Sequence, residues 1–335
     1  MIPEKKLYID NQWVEGSSGA FIDVENPATG EIIAHVPRGN AQDVDRAVQA
    51  AKRAFTSWQH APLAERLERM GKVIAYLEAN YDRLVDTITA ELGSPRKVSR
   101  SVHVDPFLLE AKVFMENASK FQYEVQRPES IVRFEPVGIV GGLTPWNFPL
   151  EQIEKKVVPG LLAGCCVVLK PSQTTPLTAY ILAEAIEAAG YPAGVFNLVT
   201  GAGGEVGDAL ASHMDVDMIS FTGSTAAGRE VARKGMCNIK RVALELGGKS
   251  AAVVLPGGNH AQAVKAVLDT VWLNSGQTCN ALTRMVVPRS ELAAIEAEIL
   301  SQTAGYKVGD PDSEDADIGT MSSRRLYDRV RDYIK

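Results

Sequence analysis

One cysteine, Cys279, lies in surroundings that suit a reactive thiol. Its neighbours in the segment NSGQTCN are polar or flexible, which favours a partly exposed thiolate that can act as a nucleophile. The other three cysteines are expected to be structural. Cys165 and Cys166 lie in the apolar run CCVVLK, where they behave as small buried apolar side chains. Cys237 is also expected to be structural. On this motif alone, a buried structural role for Cys279 remains the alternative.

Two further motifs could supply the partners of such a nucleophile. Glu245 lies in ELGGK, between an apolar strand and two glycines, where a carboxylate could be held close to a reacting centre as a general base. Asn147 lies in TPWNFP, whose two prolines stiffen the loop, and its amide could donate to a developing oxyanion. Taken singly, Glu245 could be a solvent-facing acid in a turn and TPWNFP a rigid loop without chemistry.

Two strand ends could bind a phosphorylated ligand. The segment FTGSTAAG follows an expected strand and opens an expected helix, whose N-terminal N–H groups and dipole favour an anion. The segment KPSQTTP begins with Lys170 at another strand end, where its ammonium could meet a ribose or a phosphate. In the first segment the glycine spacing is not GxGxxG, so a plain tight turn is the alternative there. In the second segment the alternative is a lysine that is solvated and binds no ligand.

The chain that carries these motifs has an ordinary globular composition. Its 335 residues are 45% hydrophobic and 23% charged, which excludes a disordered chain or a disulfide-dense mini-protein and favours two domains. The net charge of −6 does not indicate the clustered basic surface that nucleic-acid binding requires. The cysteines and histidines are scattered along the chain, so no metal site is predicted. Without a membrane-length apolar run or an N-terminal secretory pattern, a cytoplasmic protein is expected.

Hydrophobic periodicity predicts the elements that position these motifs. In the first part, LYIDNQWVEG predicts short strands around a turn at Asp10-Asn11, a further strand is expected over 31–36, and helices fill 40–123. From residue 137, short apolar strands alternate with alanine-rich helices. The expected strands are 137–140, 167–169, 195–199, 218–221 and 242–244, and the expected helices are 176–189, 205–213 and 226–234.

Apolar strands that do not alternate, separated by helices, are typical of a parallel sheet buried on both faces. The expected fold is therefore α/β, with a Rossmann-like, doubly wound parallel sheet that binds ligands at the carboxyl ends of its strands. A second α/β region is expected after it. Its elements are strands 251–255 and 282–288, helices 261–273 and 291–302, and a last helix over 324–335.

In this order along one chain, the motifs TPWNFP, KPS, FTGST, ELGGK and GQTC resemble those of the aldehyde dehydrogenase superfamily. The resemblance covers the whole sequence. It implies an aldehyde dehydrogenase-like fold in which 1–246 form the NAD(P)-binding domain and 247–335 the first part of the catalytic domain. It also implies oxidation of a small-molecule aldehyde to a carboxylic acid with NAD or NADP, and a homo-oligomer in the full-length form.

The resemblance implies a role for each matching residue. Cys279 matches the nucleophile that forms a thiohemiacetal and then a thioester, and Asn147 with the Cys279 backbone N–H matches the oxyanion donors. Glu245 matches the base that activates water, Lys156 a lysine sometimes assigned to proton relay, and Lys170 the lysine on the cofactor ribose. The other positions that resemble cofactor contacts are Thr144, Pro145, Trp146, Ser172, Gln173, Gly203, Gly207, Phe221, Thr222, Gly223, Ser224, Leu246 and Gly247.

Two features depart from the family pattern. Gln173 stands where NAD-preferring members commonly carry Glu, so repulsion of a 2′-phosphate is absent and NADP should be better tolerated. Family chains also continue past the position that matches Lys335, so this chain alone is expected to bind cofactor weakly, self-associate and turn over little aldehyde. The alternatives are a remnant that only binds cofactor and a CoA-acylating relative, although such relatives typically lack the base that Glu245 matches.

Overall fold

The computed structural model describes residues 2–335. The strands are β1 (Leu7–Ile9), β2 (Gln12–Val14), β3 (Phe21–Glu25), β4 (Ile32–Pro37), β5 (Glu124–Arg127), β6 (Ser130–Arg133), β7 (Ile139–Leu143), β8 (Cys166–Lys170), β9 (Phe196–Leu198), β10 (Met218–Gly223), β11 (Arg241–Leu246), β12 (Ala251–Val253) and β13 (Arg284–Val286). The helices are α1 (Ala41–Trp58), α2 (Leu63–Ala79), α3 (Tyr81–Leu92), α4 (Arg96–Val98), α5 (Asp105–Lys120), α6 (Pro149–Ala163), α7 (Leu177–Ala188), α8 (Asp208–Ser212), α9 (Thr225–Gly235), α10 (His260–Val271), α11 (Leu292–Thr303) and α12 (Arg324–Ile334). Two wider, π-type turns, Ser99–Val104 and Gly203–Gly207, precede α5 and α8.

A seven-stranded sheet forms the centre of the fold. Its strand order is β11-β10-β7-β8-β9-β1-β2. Strands β7 to β11 are parallel to their neighbours among themselves, and β1 joins β9 in antiparallel orientation. Helices α1 and α6 pack against β7 and β8, which are buried along their whole length. This architecture confirms the expected doubly wound α/β fold.

The N-terminal hairpin follows from its turn residues. Asp10 and Asn11 adopt φ angles of 56° and 58°, the left-handed conformation that a two-residue hairpin turn requires and that these two residue types tolerate. Leu7 pairs with Val14 across the hairpin. The strand expected over 31–36 is present as β4, and the helices expected over 40–123 are α1 to α5.

The sequence patterns miss three features: β3, the β5–β6 hairpin and α6. Helix α6 contains Pro159 and ends at Gly164, whose φ is 91°. A proline inside a helix removes one backbone hydrogen bond, so local propensity disfavours a helix that continues through it. The helix continues because Val157, Val158 and Leu161 on either side of the proline are buried in the main core, and tertiary packing outweighs local propensity.

The second α/β region has its own small core. Val264 and Leu268 of α10 pack with Ile295 of α11 around Val254, in a cluster separate from the one beneath the large sheet. Strands β12 and β13 form a separate parallel pair, and Val253 on this pair is exposed. Helices thus cover one face of the strand pair, and Val253 on the pair is open to solvent. No helix between residues 2 and 335 is long and apolar enough to cross a lipid bilayer.

Candidate active site

The carboxyl ends of the parallel strands bring the predicted motifs to one edge of the sheet. TPWNFP follows β7, Lys170 ends β8, Gly223 ends β10 and Leu246 ends β11. The chain crosses from β9 on one side of β7 to β10 on its other side. Such a reversal opens a crevice at the carboxyl edge, where doubly wound folds bind their ligands.

Asn147 is locked to the segment that precedes Cys279. The Asn147 side-chain Nδ2 donates to the backbone oxygen of Gln277 at 2.9 Å, and Nδ2 of Asn274 donates to the backbone oxygen of Asn147 at 2.7 Å. Each asparagine side chain therefore binds the backbone of the opposite segment. This reciprocal pair fixes the loop after β7 against the loop of Cys279, so the structure brings Asn147 and Cys279 to the same region.

The loop that carries Cys279 is held from a second direction. Asn274 and Ser275 both adopt the left-handed conformation, with φ of 51° and 57°, which is uncommon outside glycine and needs support from its surroundings. The backbone N–H of Gly319 donates to Oγ of Ser275 at 2.9 Å, and that of Ser322 donates to Oε1 of Gln277 at 2.9 Å. The strained turn is thus tied to the segment before α12.

The Cys279 side chain is exposed, so the alternative of a buried structural thiol is wrong. A Cβ placed on Gly248 would lie 3.6 Å from the backbone oxygen of Cys279. The ELGG turn after β11 therefore lies against the Cys279 backbone. Glu245, near the end of β11, is also exposed and stands in register with Thr222 of β10.

The side chain of Lys156, on α6, extends to the same edge of the sheet and contacts β10. Its side chain is buried, and its Nζ donates to Oγ1 of Thr222 at 2.7 Å. Burial lowers the pKa of Lys156 to about 8, and the nearby negative charge of Glu245 opposes this shift. The ammonium can therefore exchange its proton near neutral pH, beside the predicted base.

Lys170 is buried, not solvated. Only 6% of its surface is exposed, and burial lowers its pKa to about 8. Its Nζ donates to the backbone oxygen of Pro171 at 2.7 Å, whereas an ammonium carries three donors. Thr144 lies on the neighbouring strand end, and its buried Oγ1 has no partner among the described residues. Both groups are available for a ligand with hydroxyl groups.

The remaining predicted cofactor positions line this edge. A Cβ on Gly203 or Gly247 would meet nothing within 4 Å, so both backbones border open space, and a Cβ on Gly207 would lie 3.8 Å from Cδ of Lys170. Ser224 caps α9 by accepting from the N–H of Ala227. The other predicted positions on these strand ends and loops, all outside the core or at its margin, are Pro145, Trp146, Ser172, Gln173, Phe221, Gly223 and Leu246.

The other three cysteines divide by exposure. Cys165 and Cys166 are buried, as expected, and burial raises the pKa of both thiols. Cys237 is exposed, and its Sγ donates to the backbone oxygen of Ser212 at 3.3 Å. Exposure alone therefore does not distinguish Cys279 from Cys237. Among residues 2–335, no group of three or more potential ligands could hold a metal ion.

Two residues of the site were not singled out from the sequence, Asn274 and Gln277. Both lie in the NSGQTC motif, five and two residues before Cys279. An asparagine ahead of a glycine-containing turn was the available signal, since Asn adopts the left-handed conformation more readily than most residues. Their hydrogen bonds to Asn147, 127 and 130 residues away, could not be foreseen from spacing.

The fold and this edge define an α/β protein of the dinucleotide-binding type, with a cysteine and an amide held together at the carboxyl ends of the strands. The sequence model of the aldehyde dehydrogenase family matches residues 13–335. The chain belongs to the aldehyde dehydrogenase family.

Individual relatives agree with this assignment. The chain is 41% identical to 3-succinoylsemialdehyde-pyridine dehydrogenase from a Pseudomonas species, over 99% of this chain and 70% of that protein. Aldehyde dehydrogenase C from Pseudomonas syringae, solved as a mutant complexed with NAD+ and octanal, matches with a TM-score of 0.97 and 40% identity over 98% of this chain and 68% of that one. The NAD+ complex of an aldehyde dehydrogenase from Bacillus cereus matches with a TM-score of 0.95 and 32% identity, over 99% of this chain and 69% of that one.

Proposed function

We propose that this protein oxidises an aldehyde to a carboxylic acid with NAD+ or NADP+, through a thioester on Cys279 that is hydrolysed with Glu245 as the base. The observation that carries the proposal is the hydrogen bond from Asn147 to the backbone of Gln277. It places an amide donor beside the segment of an exposed cysteine, at the edge where a doubly wound fold binds its cofactor.

The residues at this edge fit a dinucleotide. The buried ammonium of Lys170 has donors to spare for a ribose hydroxyl, and the open space beside Gly203 and Gly247 admits close approach of a ligand to the backbone. Ser224 stands at the N-terminus of α9, where N–H groups and the helix dipole favour a pyrophosphate. In this proposal residues 1–246 form the cofactor-binding part and 247–335 the beginning of the catalytic part.

The bond-forming residues are Cys279 and Asn147. The Cys279 thiolate attacks the aldehyde carbon, and the carbonyl oxygen becomes an oxyanion that the Asn147 amide and the Cys279 backbone N–H stabilise. When bound, NAD(P)+ supplies the acceptor for the hydride that leaves the thiohemiacetal carbon. The product left on Cys279 is a thioester. Because the Asn147 amide binds Gln277 at 2.9 Å, it is already aimed toward the cysteine segment.

Glu245 and Lys156 serve the second half of the reaction. The Glu245 carboxylate takes a proton from water, the resulting hydroxide attacks the thioester carbon, and the Cys279 thiolate leaves with the acid as product. Lys156, whose pKa is about 8, accepts or returns protons through Thr222, to whose hydroxyl it donates. Exposure of Glu245 to solvent gives it access to the water that it must activate.

A spectrophotometric assay tests this proposal. Purified protein with NAD+ or NADP+ is given octanal and a panel of other aldehydes, and absorbance at about 340 nm reports reduced cofactor. We expect a low rate of aldehyde-dependent reduction, which Cys279→Ser abolishes and the matched control Cys237→Ser leaves unchanged. Cofactor binding without any reduction would support the remnant alternative, and turnover that requires added coenzyme A would support the acylating one. Size-exclusion chromatography of the same sample tests the expected self-association.

A further inference from the structure

None of the steps above involves the loop of residues 307–322, which lies between α11 and α12. Its backbone closes on itself. The N–H of Ile318 donates to the oxygen of Lys307 at 3.1 Å, and the N–H of Gly309 donates to the oxygen of Ile318 at 3.0 Å. Loops whose ends meet in this way are compact units, so a force on one side of the 307–322 loop is felt on the other.

One side of the loop supports the turn that precedes Cys279. The N–H of Gly319 holds Oγ of Ser275, and the N–H of Ser322 holds Oε1 of Gln277, both at 2.9 Å. Ser275 has a positive φ that needs such support. The backbone oxygen of Gln277 in turn accepts the amide of Asn147. The place of the 307–322 loop therefore affects the segment that carries Cys279.

The other side of the loop lies against residues 93–100. The N–H of Thr320 donates to the oxygen of Gly93 at 3.1 Å, and the N–H of Arg96 donates to the oxygen of Pro311 at 2.9 Å. The two backbones cross closely, because a Cβ on Gly319 would lie 2.1 Å from the oxygen of Gly93. The loop thus bridges the corner between α3 and α4 and the turn of Cys279.

Opposite charges face each other across this contact. The three ion pairs are Arg96 with Asp312 at 3.2 Å, Lys97 with Asp317 at 2.6 Å and Arg100 with Glu314 at 3.1 Å. The pair of Lys97 and Asp317 is the best shielded, since 33% of the Asp317 side chain is exposed, against 69% for Asp312 and 62% for Glu314. Shielding from water strengthens an ion pair. Asp317 also accepts the N–H of Lys307 at 2.9 Å, so its carboxylate joins the closure of the loop to Lys97.

We propose that Lys97 and Asp317 are positioning residues for the reaction, whose ion pair holds the 307–322 loop in the place where it supports the turn of Cys279. This inference rests on the proposed function. Without the pair the loop can shift, and the N–H groups that hold Ser275 and Gln277 shift with it. A displacement of about 1 Å between reacting groups can lower the rate up to about a hundredfold. Because the backbone bonds to Gly93 and Pro311 remain, we expect a loss of about three- to tenfold.

Single substitutions with matched controls test the ion pair. Lys97→Met removes the charge, and Asp317→Asn removes the opposite charge while its amide oxygen can still accept the N–H of Lys307. Both should lower kcat by about three- to tenfold, with little change in the Kd for NADH measured by fluorescence. Lys97→Arg keeps the charge and should keep most of kcat. Asp315→Asn should also keep it, because Asp315 lies on the same loop but pairs with Lys307 of the loop itself. Equal kcat in the Met and Arg variants of Lys97 would overturn the proposal.

A double-mutant cycle tests whether the two residues act through each other. In an Asp317→Asn background, Lys97→Met should cause little further loss of kcat, because the partner charge is already gone. If the two losses multiply, Lys97 and Asp317 act independently and the proposal is wrong.

Hydrogen exchange keeps this inference separate from the proposed function. If the unmodified protein reduces no cofactor with any aldehyde, the proposed function fails, and exchange of the backbone amides over 274–279 still decides the role of the ion pair. Exchange there should be faster in Lys97→Met and Asp317→Asn than in Lys97→Arg and Asp315→Asn. Equal exchange in all variants would refute the positioning role. So would acceleration spread evenly over the whole chain, since that marks a general loss of stability.

Discussion

Glu154 gives the protein a pH-dependent stability that one substitution should remove. This carboxyl group lies on α6, two residues before Lys156, and is fully buried. Neither of its oxygens has a hydrogen-bond partner among the described residues. Its pKa is raised from 4.5 to about 9, mainly by burial and next by the negative charge of Glu110, while the positive charge of Lys155 opposes the shift. The carboxyl is therefore protonated in the folded protein and ionised in the unfolded chain at neutral pH.

The sign and size of the effect follow from this shift. A group whose pKa is raised by folding favours the folded state below its unfolded pKa, and this contribution is lost as pH rises toward the folded pKa. Between the unfolded value of 4.5 and pH 7, at about 1.4 kcal/mol per pKa unit, Glu154 should cost on the order of 3 kcal/mol. Glu154→Gln keeps a neutral side chain of the same size and removes this loss.

Urea denaturation at a series of pH values from about 4.5 to 8.5 tests the prediction. The Gln variant should match the unmodified protein at the acidic end and become progressively more stable than it as pH rises. Glu151→Gln is the matched control, since Glu151 lies one turn earlier on α6 and forms an ion pair with Lys155. If Glu154→Gln gave a pH–stability curve parallel to that of the unmodified protein, Glu154 would not be a neutral buried acid.

Three further predictions concern the proposed chemistry. Glu245→Gln should form the thioester but hydrolyse it slowly, so that a burst of about one reduced cofactor per site precedes a steady rate lowered on the order of a hundredfold or more; an unchanged steady rate would assign the base elsewhere. Gln173→Glu should shift the ratio of kcat/KM values toward NAD+, because a carboxylate repels a 2′-phosphate, and an unchanged ratio would refute the argument. In a Cys237→Ser background, which removes the other exposed thiol, one equivalent of iodoacetamide should label Cys279 with parallel loss of activity; peptide mass mapping would expose a different target.

The sequence predicts the elements of the sheet well and the environment of single side chains less well. The strands that end at Lys170 and Leu246 were expected within a few residues of their observed bounds, because apolar runs and turn residues are local signals. The burial of Lys170 is not a local property. Gly207, which comes from another part of the chain, is one of the residues that lie close to the lysine side chain. A lysine at a strand end therefore looked solvated from sequence alone.

The candidate site shows the same limit. Cys279, Glu245 and Asn147 stand out by residue type and by their motifs, whereas the residues that connect them do not. Asn274 and Gln277 act through contacts that span more than a hundred residues of sequence. Their side chains carry no distinctive chemistry until the fold leaves their polar atoms buried. Supporting residues of this kind are recognised only when the hydrogen-bond partner of each buried donor and acceptor is known, and this requires a three-dimensional structure.

The reciprocal bonds of Asn147 also determine how its replacement must be interpreted. Asn147→Ala would remove the proposed oxyanion donor and, at the same time, the bond that ties the loop after β7 to Gln277. A loss of kcat in that variant therefore combines lost transition-state stabilisation with a displaced Cys279. Replacement of Gln277 by alanine cannot separate the two, because the acceptor is a backbone oxygen. Asn274→Ala can, since it weakens the same junction from the other side and leaves the Asn147 amide in place. If Asn147→Ala loses more kcat than Asn274→Ala, the difference between the two losses measures the stabilisation of the oxyanion by the Asn147 amide.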